Sequence, residues 1–414
     1  MDPSVVIVIA AMVLVQAFYA VLEIVNVRHM RRTGRTVASP FVGRIEPKAY
    51  TGLVASHMLK AQRNVFTMIS SIAFLVLFLL TDALGTLERW TRSIVPAEGW
   101  FLSRENVVAI LFSAMLLVGM MFIGYLAMML VYVLLRLRGK KAVKRVSWSP
   151  VKSLRVIGLG ALLLSIAIVL YRTNILSRSS WWVWAASLYS VWLVQGLFFG
   201  GRIMKLLKVS EPLHDDKFLG PIGELCTQLD FPVNAILEVN EETELAHAMA
   251  TGVGRFARIF IYGKAKAAFT VGQLLATLGH EIGHIKLHHP AKLTSWHCIS
   301  MSFRLWLFAT LMSYEPLYRA FGFEGIGPHS ALIMASYLIL PLSIILLPIT
   351  RLLERRFEYQ ADQFAVIARA NSEELTAAFV TQIIQNRDNP NPHPWHLAVY
   401  DAHPTIAERV AALA

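Results

Sequence analysis

Seven apolar stretches divide this 414-residue sequence, and each is long enough to cross the roughly 30 Å hydrocarbon core of a bilayer. The first begins at the N-terminus without the basic region or cleavage site of a signal peptide, so we expect it to be retained as a membrane helix. The pattern predicts a mainly α, polytopic membrane protein with seven transmembrane helices. The stretches lie near residues 4–26, 65–84, 107–135, 155–171, 181–200, 296–320 and 328–350.

The basic residues between these stretches predict an orientation. Loops 27–64 and 136–154 are rich in Lys and Arg, whereas loop 321–327 contains neither. Because basic loops favour the cytoplasmic side, the N-terminus is expected outside and the C-terminus inside. The predicted division of the chain is then transmembrane helices one to five (1–200), a cytoplasmic segment (201–294), helices six and seven (295–350) and a second cytoplasmic segment (351–414).

Bulk composition agrees with a membrane protein and excludes other classes. Hydrophobic residues make up 56% of the chain, above the usual share in soluble domains. The formal net charge of +12 falls in short loops between apolar runs, which favours topogenic charge over binding to nucleic acid. Cys226 and Cys298 are the only cysteines, so neither a thiol metal site nor a disulfide framework is predicted.

Segment 201–294 has the pattern of a mixed α/β domain. Residues 255–262 (RFARIFIY) alternate in the manner of a half-buried strand. Thr270 and Gln273 have the spacing of a capping box, which predicts that a helix begins after Thr270. We expect this helix to run over residues 271–288 and to be stopped by Pro290.

That helix carries the motif His280-Glu281-Ile282-Gly283-His284. Histidines four residues apart lie on one helical face, so both imidazoles can reach one metal ion. Glu281 points beside the ion and can accept the proton of the attacking water. A five-residue motif also arises by chance, but its place on a capped helix after a strand is typical of a metallopeptidase.

A catalytic zinc site usually has a third protein ligand. The position six residues after His284, where some zinc peptidases place a third histidine, is Pro290. His288 is an alternative contact one turn on, and His289 is expected to face solvent or lipid headgroups. Glu358, in LERRFEYQADQFAV after the last apolar stretch, is the better third ligand. Asp362, one turn further, would then hydrogen-bond a ligand histidine or a bound water.

These motifs resemble those of the CAAX prenyl protease type I family of integral-membrane zinc peptidases, and of the related heat-shock membrane proteases. The pairing HEIGH…FEYQADQFA, the C-terminal DAHPTIAERVAAL and the basic exit of the first apolar stretch carry the resemblance. It implies one zinc ion held by His280, His284 and Glu358, with Glu281 as the general base and Asp362 as a proton donor or supporting residue. It also implies that His403 and Arg409 stabilise the oxyanion, and that the spans enclose a water-filled chamber.

One position departs from the family pattern. The family has an Asn-Ala-x-x-x-Gly stretch on an edge strand that binds the substrate backbone, whereas this chain has His247-Ala-Met-Ala-Thr-Gly252. The resemblance implies substrate binding by His247, Ala248 and Thr251, by addition of the peptide as a β-strand. Histidine thus replaces the asparagine whose side chain makes this contact in the family.

The sequence therefore predicts a zinc metalloendopeptidase in a bacterial inner membrane or the endoplasmic reticulum, acting at the cytoplasmic side on a peptide or protein substrate. Removal of the C-terminal tripeptide from prenylated substrates and quality control of damaged membrane proteins both remain open. A metal-dependent transporter without hydrolytic activity is a further alternative, which would require no carboxylate beside a ligand histidine. Nothing in the sequence specifies the oligomeric state.

Overall fold

A computed structural model describes residues 3–38, 41–96, 103–116, 118–119, 129, 180–206, 210–233, 235–239, 247–252, 256–368 and 372–413. The predicted span 155–171 and most of the predicted span 107–135 lie outside the described residues. Residues 104–116 are helical. The other helices of the described part are α1 Pro3–Thr33, α2 Pro47–Thr81, α3 Ala83–Ile94, α4 Trp181–Leu206, α5 Asp216–Gln228, α6 Gly263–Ala268, α7 Val271–Lys286, α8 His289–Met312, α9 Glu315–Ala320, α10 Pro328–Ile344, α11 Leu347–Ile367, α12 Ser372–Asn386, α13 Pro394–Tyr400 and α14 Ile406–Leu413.

The described chain is mainly helical, as predicted, and two of its helices pass a length and hydropathy test for crossing a membrane. These are Val5–Thr33 of α1 and Pro47–Phe78 of α2. Helices α10 and α11 meet at a 44° bend and make a third candidate if the pair is counted as one span. The structure therefore supports two or three spans among the described residues, and the count of seven stays a prediction.

The chain divides into two compact units. The first contains residues 1–14, 71–183 and 306–342, and the second contains residues 15–70, 184–305 and 343–414. In the described part of the first unit, large apolar side chains form one core: Val5, Met12, Leu75, Phe78, Leu84, Phe112, Leu317, Tyr318, Phe321, Phe323, Met334, Leu338 and Leu342. Phe41 and Tyr50, both almost inaccessible, pack in a core of the second unit with residues from α1, α2, α7, α11 and α12.

The second unit contains a four-stranded sheet of mixed direction, which confirms the α/β pattern predicted for this segment. Its strands are β1 Ser210–Pro212, β2 Ile236–Val239, β3 Ala248–Thr251 and β4 Arg258–Tyr262, in the spatial order β1-β2-β4-β3. Strand β4 pairs parallel to β2 and antiparallel to β3. Strand β3 therefore lies at an edge of the sheet.

Helix α7 packs on this sheet through Leu274, Leu278 and Ile282, which are fully buried in one cluster with Ile259 and Ile261 of β4. Each such burial stabilises the fold by about 1.5–3 kcal/mol. The three residues repeat at four-residue spacing and so occupy one face of the helix. Positions 280 and 284 lie on the opposite side, away from the sheet.

Helix α11 crosses α7 closely because α7 carries glycine where the two helices meet. The nearest atom to a Cβ at Gly279 would be Ala365 Cα at 3.7 Å, and at Gly283 it would be Phe364 Cδ1 at 3.0 Å. Small residues at a crossing allow the two backbones to approach. This approach lets carboxylates of α11 reach the histidines of α7.

Candidate active site

His280 and His284 present their Nε2 atoms to each other at 3.1 Å on α7. The start of the helix is fixed by the predicted capping box. Thr270 Oγ1 accepts from the Gln273 backbone N–H, and the Gln273 side chain accepts from the Thr270 backbone N–H. The capped first turn sets the helical register that places both imidazoles on one face.

Glu358 of α11 completes a group of three potential metal ligands. Its Oε2 lies 3.5 Å from His280 Nε2, and its Oε1 lies 3.3 Å from His284 Nε2. The residue is only 7% exposed, and Oε2 is a buried oxygen without a hydrogen-bond donor. Among the described residues, these three make up the one group of His, Cys, Asp or Glu side chains arranged to hold a metal ion.

The spacing of the three donor atoms fits a zinc ion. Ligand atoms about 2.0–2.1 Å from a tetrahedral ion lie roughly 3.3 Å from one another. The observed separations are 3.1 Å between the two Nε2 atoms, 3.3 Å from His284 Nε2 to Glu358 Oε1 and 3.5 Å from His280 Nε2 to Glu358 Oε2. Two imidazoles and one carboxylate also form one of the common catalytic zinc ligand sets. The structure thus brings together the three residues that the sequence indicates as ligands.

Asp362 supports the ligand His280 from behind. Its Oδ1 lies 2.8 Å from His280 Nδ1, and the carboxylate is 1% exposed. A carboxylate that accepts the Nδ1 proton leaves Nε2 free to bind metal. This contact is the one predicted for Asp362 with a ligand histidine.

Arg409 of α14 is buried against these carboxylates. Its Nε donates to Asp362 Oδ2 at 2.8 Å, its Nη2 donates to Asp362 Oδ1 at 2.5 Å, and Nη1 lies 3.4 Å from Glu358 Oε2. The guanidinium also stacks 3.7 Å above the ring of Phe379. These contacts place Arg409 behind the ligands, where it neutralises two buried carboxylates.

His403 lies on the open side of the site. Its Nε2 is 3.6 Å from Glu358 Oε1, while the side chain is 60% exposed. Its backbone N–H donates to Asp401 Oδ1, and its Nδ1 lies 3.4 Å from the same oxygen. The hydrogen bond to Asp401 raises the pKa of His403, which favours the protonated, donor form.

Residues 247–252 contain strand β3 and the single residues that precede and follow it. Ala248 is fully buried and pairs with Ile261, while Thr251 pairs with Arg258. His247, which precedes the strand, lies with its Nδ1 3.4 Å from Gln382 Nε2. Burial lowers the pKa of His247 and favours the neutral imidazole.

A family comparison agrees with the metal-binding geometry. The model of the family described as peptidase family M48 matches residues 221–414, which include every candidate site residue named above. The match covers a little less than half of the chain and shows that this part is similar to peptidase family M48.

Several curated relatives of this chain are named as CAAX prenyl proteases. A CAAX prenyl protease 1 homolog from Oryza sativa subsp. japonica is 27% identical over 233 residues, which are 55% of this chain and 54% of that protein. The CAAX prenyl protease 1 homolog of Homo sapiens is 33% identical over 146 residues, or 34% of this chain and 30% of that protein. The chain thus spans about half the length of the first of these relatives, and the resemblance indicated by the motifs is confirmed.

A solved structure shows the same fold. The crystal structure of S. mikatae Ste24p matches with a TM-score of 0.70 and 20% identity, over 100% of this chain and 99% of that chain. At this identity the match shows the fold.

His280, Glu358 and Glu281 line one cavity of about 770 Å³ within the second unit of the chain. Glu281 follows the ligand His280 directly and is half-buried. His247, Gln382, His403 and Arg409 line the same cavity. A peptide entering it therefore meets the predicted base, the ligands and the C-terminal residues together.

His289 was expected at the surface, and this expectation is wrong. Its side chain is fully buried, with Nδ1 3.1 Å from His284 Nδ1 and Nε2 3.0 Å from Gln360 Oε1. Its ring stacks on Phe357 at 4.3 Å with an interplanar angle of 9°. Burial, with a smaller contribution from the charge of His284, lowers the pKa of His289 to about 4.

The physical reason is that α7 ends earlier than predicted. Helix α7 stops at Lys286, and His288 adopts a left-handed conformation with φ 58°. Pro290 lies in the first turn of α8, where a proline is well tolerated, and does not stop α7. In an uninterrupted helix, residue 289 would lie about 140° around from residue 284. The break turns His289 back toward His284 and leaves His288 exposed and away from the metal ligands.

Proposed function

We propose that this protein is a membrane-embedded zinc endopeptidase. The observation that carries the proposal is the convergence of His280 Nε2, His284 Nε2 and the Glu358 carboxylate within 3.1–3.5 Å of one another. Of these residues, His280 and Glu358 line a cavity together with Glu281. The match of residues 221–414 to peptidase family M48 supports the same reaction class.

In the proposed reaction, the role of each residue follows from its position in the site. His280, His284 and Glu358 would hold one zinc ion, which when bound supplies Lewis-acid polarisation of the scissile carbonyl. Glu281 accepts the proton of the attacking water and delivers it to the leaving amine. Asp362 holds His280 in the tautomer whose Nε2 is free.

The C-terminal residues would act on the developing oxyanion. His403 has an exposed side chain on the cavity wall and a raised pKa, which suits a charged donor. Arg409 would contribute mainly through its positive charge, because its Nε and Nη2 already donate to Asp362.

The substrate peptide would add to the sheet at β3. This strand pairs with β4 along one side and has no strand partner on the other within the described residues. The peptide would extend the sheet along Ala248 and Thr251 and place its scissile bond near His247 and Glu281. In place of the family's asparagine, the neutral imidazole of His247 would provide a single ring donor or acceptor.

The proposed setting is an integral membrane protein with seven spans, an external N-terminus and a site on the cytoplasmic side. The apolar candidate spans among the described helices support membrane embedding. Ligands from segment 201–294 and from segment 351–414 contribute to one site, as a shared side of the membrane requires. The cavity would open into a chamber enclosed by the spans.

The proposed substrates are prenylated proteins that lose a C-terminal tripeptide. The relatives named as CAAX prenyl protease 1 homologs support this substrate class.

The test compares cleavage of a farnesylated CAAX peptide with cleavage of the same peptide without the farnesyl group. It uses purified protein that contains one zinc per chain and identifies the products by mass spectrometry. Faster release of the tripeptide from the farnesylated peptide is expected. Equal cleavage of both peptides would favour quality control of membrane proteins. No cleavage of any peptide, with Glu281→Gln identical to the wild type, would refute the peptidase.

A further inference from the structure

The two ligand histidines of the candidate zinc site have different partners behind them. His280 Nδ1 meets the carboxylate of Asp362 at 2.8 Å. His284 Nδ1 meets the buried side chain of His289 at 3.1 Å, and His289 Nε2 in turn meets Gln360 Oε1 at 3.0 Å. Beside His284, the hydrogen-bonded pair of His289 and Gln360 thus occupies the position that the Asp362 carboxylate occupies beside His280.

The donor and acceptor atoms of this hydrogen-bonded series determine which ring nitrogens of His289 and His284 carry protons. The carbonyl oxygen Oε1 of Gln360 can only accept, so His289 Nε2 carries a proton. A neutral imidazole with a proton on Nε2 has a bare Nδ1 that accepts. The partner across the 3.1 Å contact, His284 Nδ1, must therefore donate, which leaves His284 Nε2 bare and directed at Glu358 and His280.

The surroundings hold His289 in this arrangement. The side chain is fully buried, so water does not compete for its nitrogens. Phe357, one residue before the ligand Glu358, stacks on its ring at 4.3 Å and fixes the ring plane. Gln360 lies two residues after Glu358 on the same helix, so α11 provides both the third ligand and the acceptor at the end of the chain.

We propose that His289, held by Gln360, is a positioning residue that fixes His284 in the tautomer whose Nε2 binds the metal. The inference rests on the proposed zinc site and adds to it a neutral relay that nothing in the motif indicates. His280 is oriented by a charged carboxylate clamped by Arg409, and His284 is oriented by an uncharged pair.

The test measures zinc affinity by competition with a chromophoric chelator, and the visible absorption of the Co²⁺-loaded protein. His289→Leu removes the Nδ1 contact at similar volume, and His289→Asn retains an amide near the Nδ1 position. Gln360→Leu removes the acceptor, and Gln360→Glu keeps one. His288→Asn is the matched control, because this neighbouring histidine is exposed and asparagine tolerates its positive φ.

Loss of a partner behind a ligand histidine typically weakens metal binding about 10–100-fold. We expect that loss, with a shifted cobalt spectrum, in His289→Leu and a smaller one in Gln360→Leu. His289→Asn should recover most of the affinity, and Gln360→Glu and His288→Asn should match the wild type. Near-ultraviolet circular dichroism of the zinc-free proteins checks folding, and Gln360→Leu serves if His289→Leu does not fold.

Wild-type affinity and an unshifted cobalt spectrum in both leucine variants would overturn the relay. Equal losses in His289→Asn and His289→Leu would overturn it too, since packing would then be responsible. His284→Ala separates this failure from failure of the zinc site itself. If His284→Ala no longer binds zinc, the proposed zinc site is supported even where the His289 variants contradict the relay. If His284→Ala still binds one zinc per chain with wild-type affinity, the proposed zinc site is wrong.

Discussion

Each unit of the molecule contains a buried cluster of histidine, carboxylate and arginine, and these two clusters are built in opposite ways. In the first unit, Glu88 Oε1 lies 3.0 Å from His329 Nε2, 3.2 Å from Arg92 Nε and 3.0 Å from Arg92 Nη2. In the second unit, the Glu358 carboxylate faces the Nε2 atoms of His280 and His284, whose Nδ1 atoms contact Asp362 and His289. In the tautomers proposed above, neither Nε2 carries a proton. The first cluster pairs donors with acceptors, whereas the second gathers acceptors around one point.

The difference separates a structural ion pair from a metal site. A buried carboxylate that receives several charge-assisted hydrogen bonds needs no further partner. Lone pairs facing one another at 3.1–3.5 Å repel unless a cation lies between them. Residue types alone do not distinguish the clusters, because both contain His, Glu and Arg; the direction of their donors does.

The largest expected effect is a loss of peptide cleavage, which only a substitution in the cluster of the second unit should cause. Glu281→Gln removes the proposed general base and should reduce peptide cleavage by about 10²–10⁴-fold. Zinc content and the free energy of unfolding should stay unchanged, because Glu281 is not a ligand. The measurement is the initial rate of peptide cleavage, with zinc quantified on the same sample.

The matched control is Glu88→Gln, the same substitution in the first unit. It should leave cleavage per folded molecule and zinc content at the wild-type level. A loss of cleavage in Glu88→Gln as large as that in Glu281→Gln would contradict the assignment of chemistry to the second cluster alone.

The second expected effect is the stabilisation that zinc provides. A ligand present at 100–1,000 times its Kd stabilises a native state by about 3–4 kcal/mol. Chelation should therefore lower the unfolding midpoint of the wild type, and Glu358→Gln should show almost no difference with or without zinc. Calorimetry or chemical denaturation of detergent-solubilised protein measures this. An equal zinc effect in Glu358→Gln and the wild type would exclude Glu358 as a ligand.

The sequence was sufficient to indicate the three candidate ligands because local spacing places them on two helical faces. His280 and His284 share a helical face through their four-residue separation, and Glu358 and Asp362 repeat that logic on α11. The contacts of Arg409 and His289 were not predictable in the same way. Arg409 reaches Asp362 across 47 positions of the sequence, and His289 reaches His284 only because the backbone at His288 breaks the helix.

The count of spans shows a different limit. The predicted span 155–171 and most of the predicted span 107–135 lie outside the described residues, so the count stays a prediction. Hydropathy predicts which segments are apolar, but it does not predict which of their polar residues line a cavity. Glu23 of α1 is 2% exposed, accepts from Asn64 at 2.8 Å and lines the cavity of the second unit. Polar positions inside apolar segments therefore mark a lining and an interhelical contact at the same time.

The third expected effect lies in the first cluster. Burial opposes the charge of Glu88, but hydrogen bonds from His329 and Arg92 outweigh it and lower the pKa of Glu88. Glu88→Gln should destabilise the protein by about 2 kcal/mol near neutral pH, since hydrogen bonds to a charged group are lost. Because the folded pKa is lowered, this contribution is complete above the usual glutamate pKa of about 4.3 and is lost as the pH falls through the folded value. The difference between variant and wild type should therefore shrink in acid, and a difference that grows in acid would contradict the ion pair.

The smallest expected effect compares two glycines at helix contacts, one in each unit. At Gly85 of α3, a Cβ would overlap the carbonyl oxygen of Gly322, which itself has φ +83°. At Gly279 of α7, the nearest atom to a Cβ is Ala365 Cα at an ordinary 3.7 Å.

Gly85→Ala should therefore destabilise the protein by about 1–3 kcal/mol through overpacking. Gly279→Ala should change stability by less than about 1 kcal/mol, in the stabilising direction, because alanine is the better helix former. Chemical denaturation of the two variants measures both signs. If Gly279→Ala proved the more destabilising, the contact between α7 and α11 would be tighter than described, and the approach that brings Glu358 to the histidines would depend on Gly279.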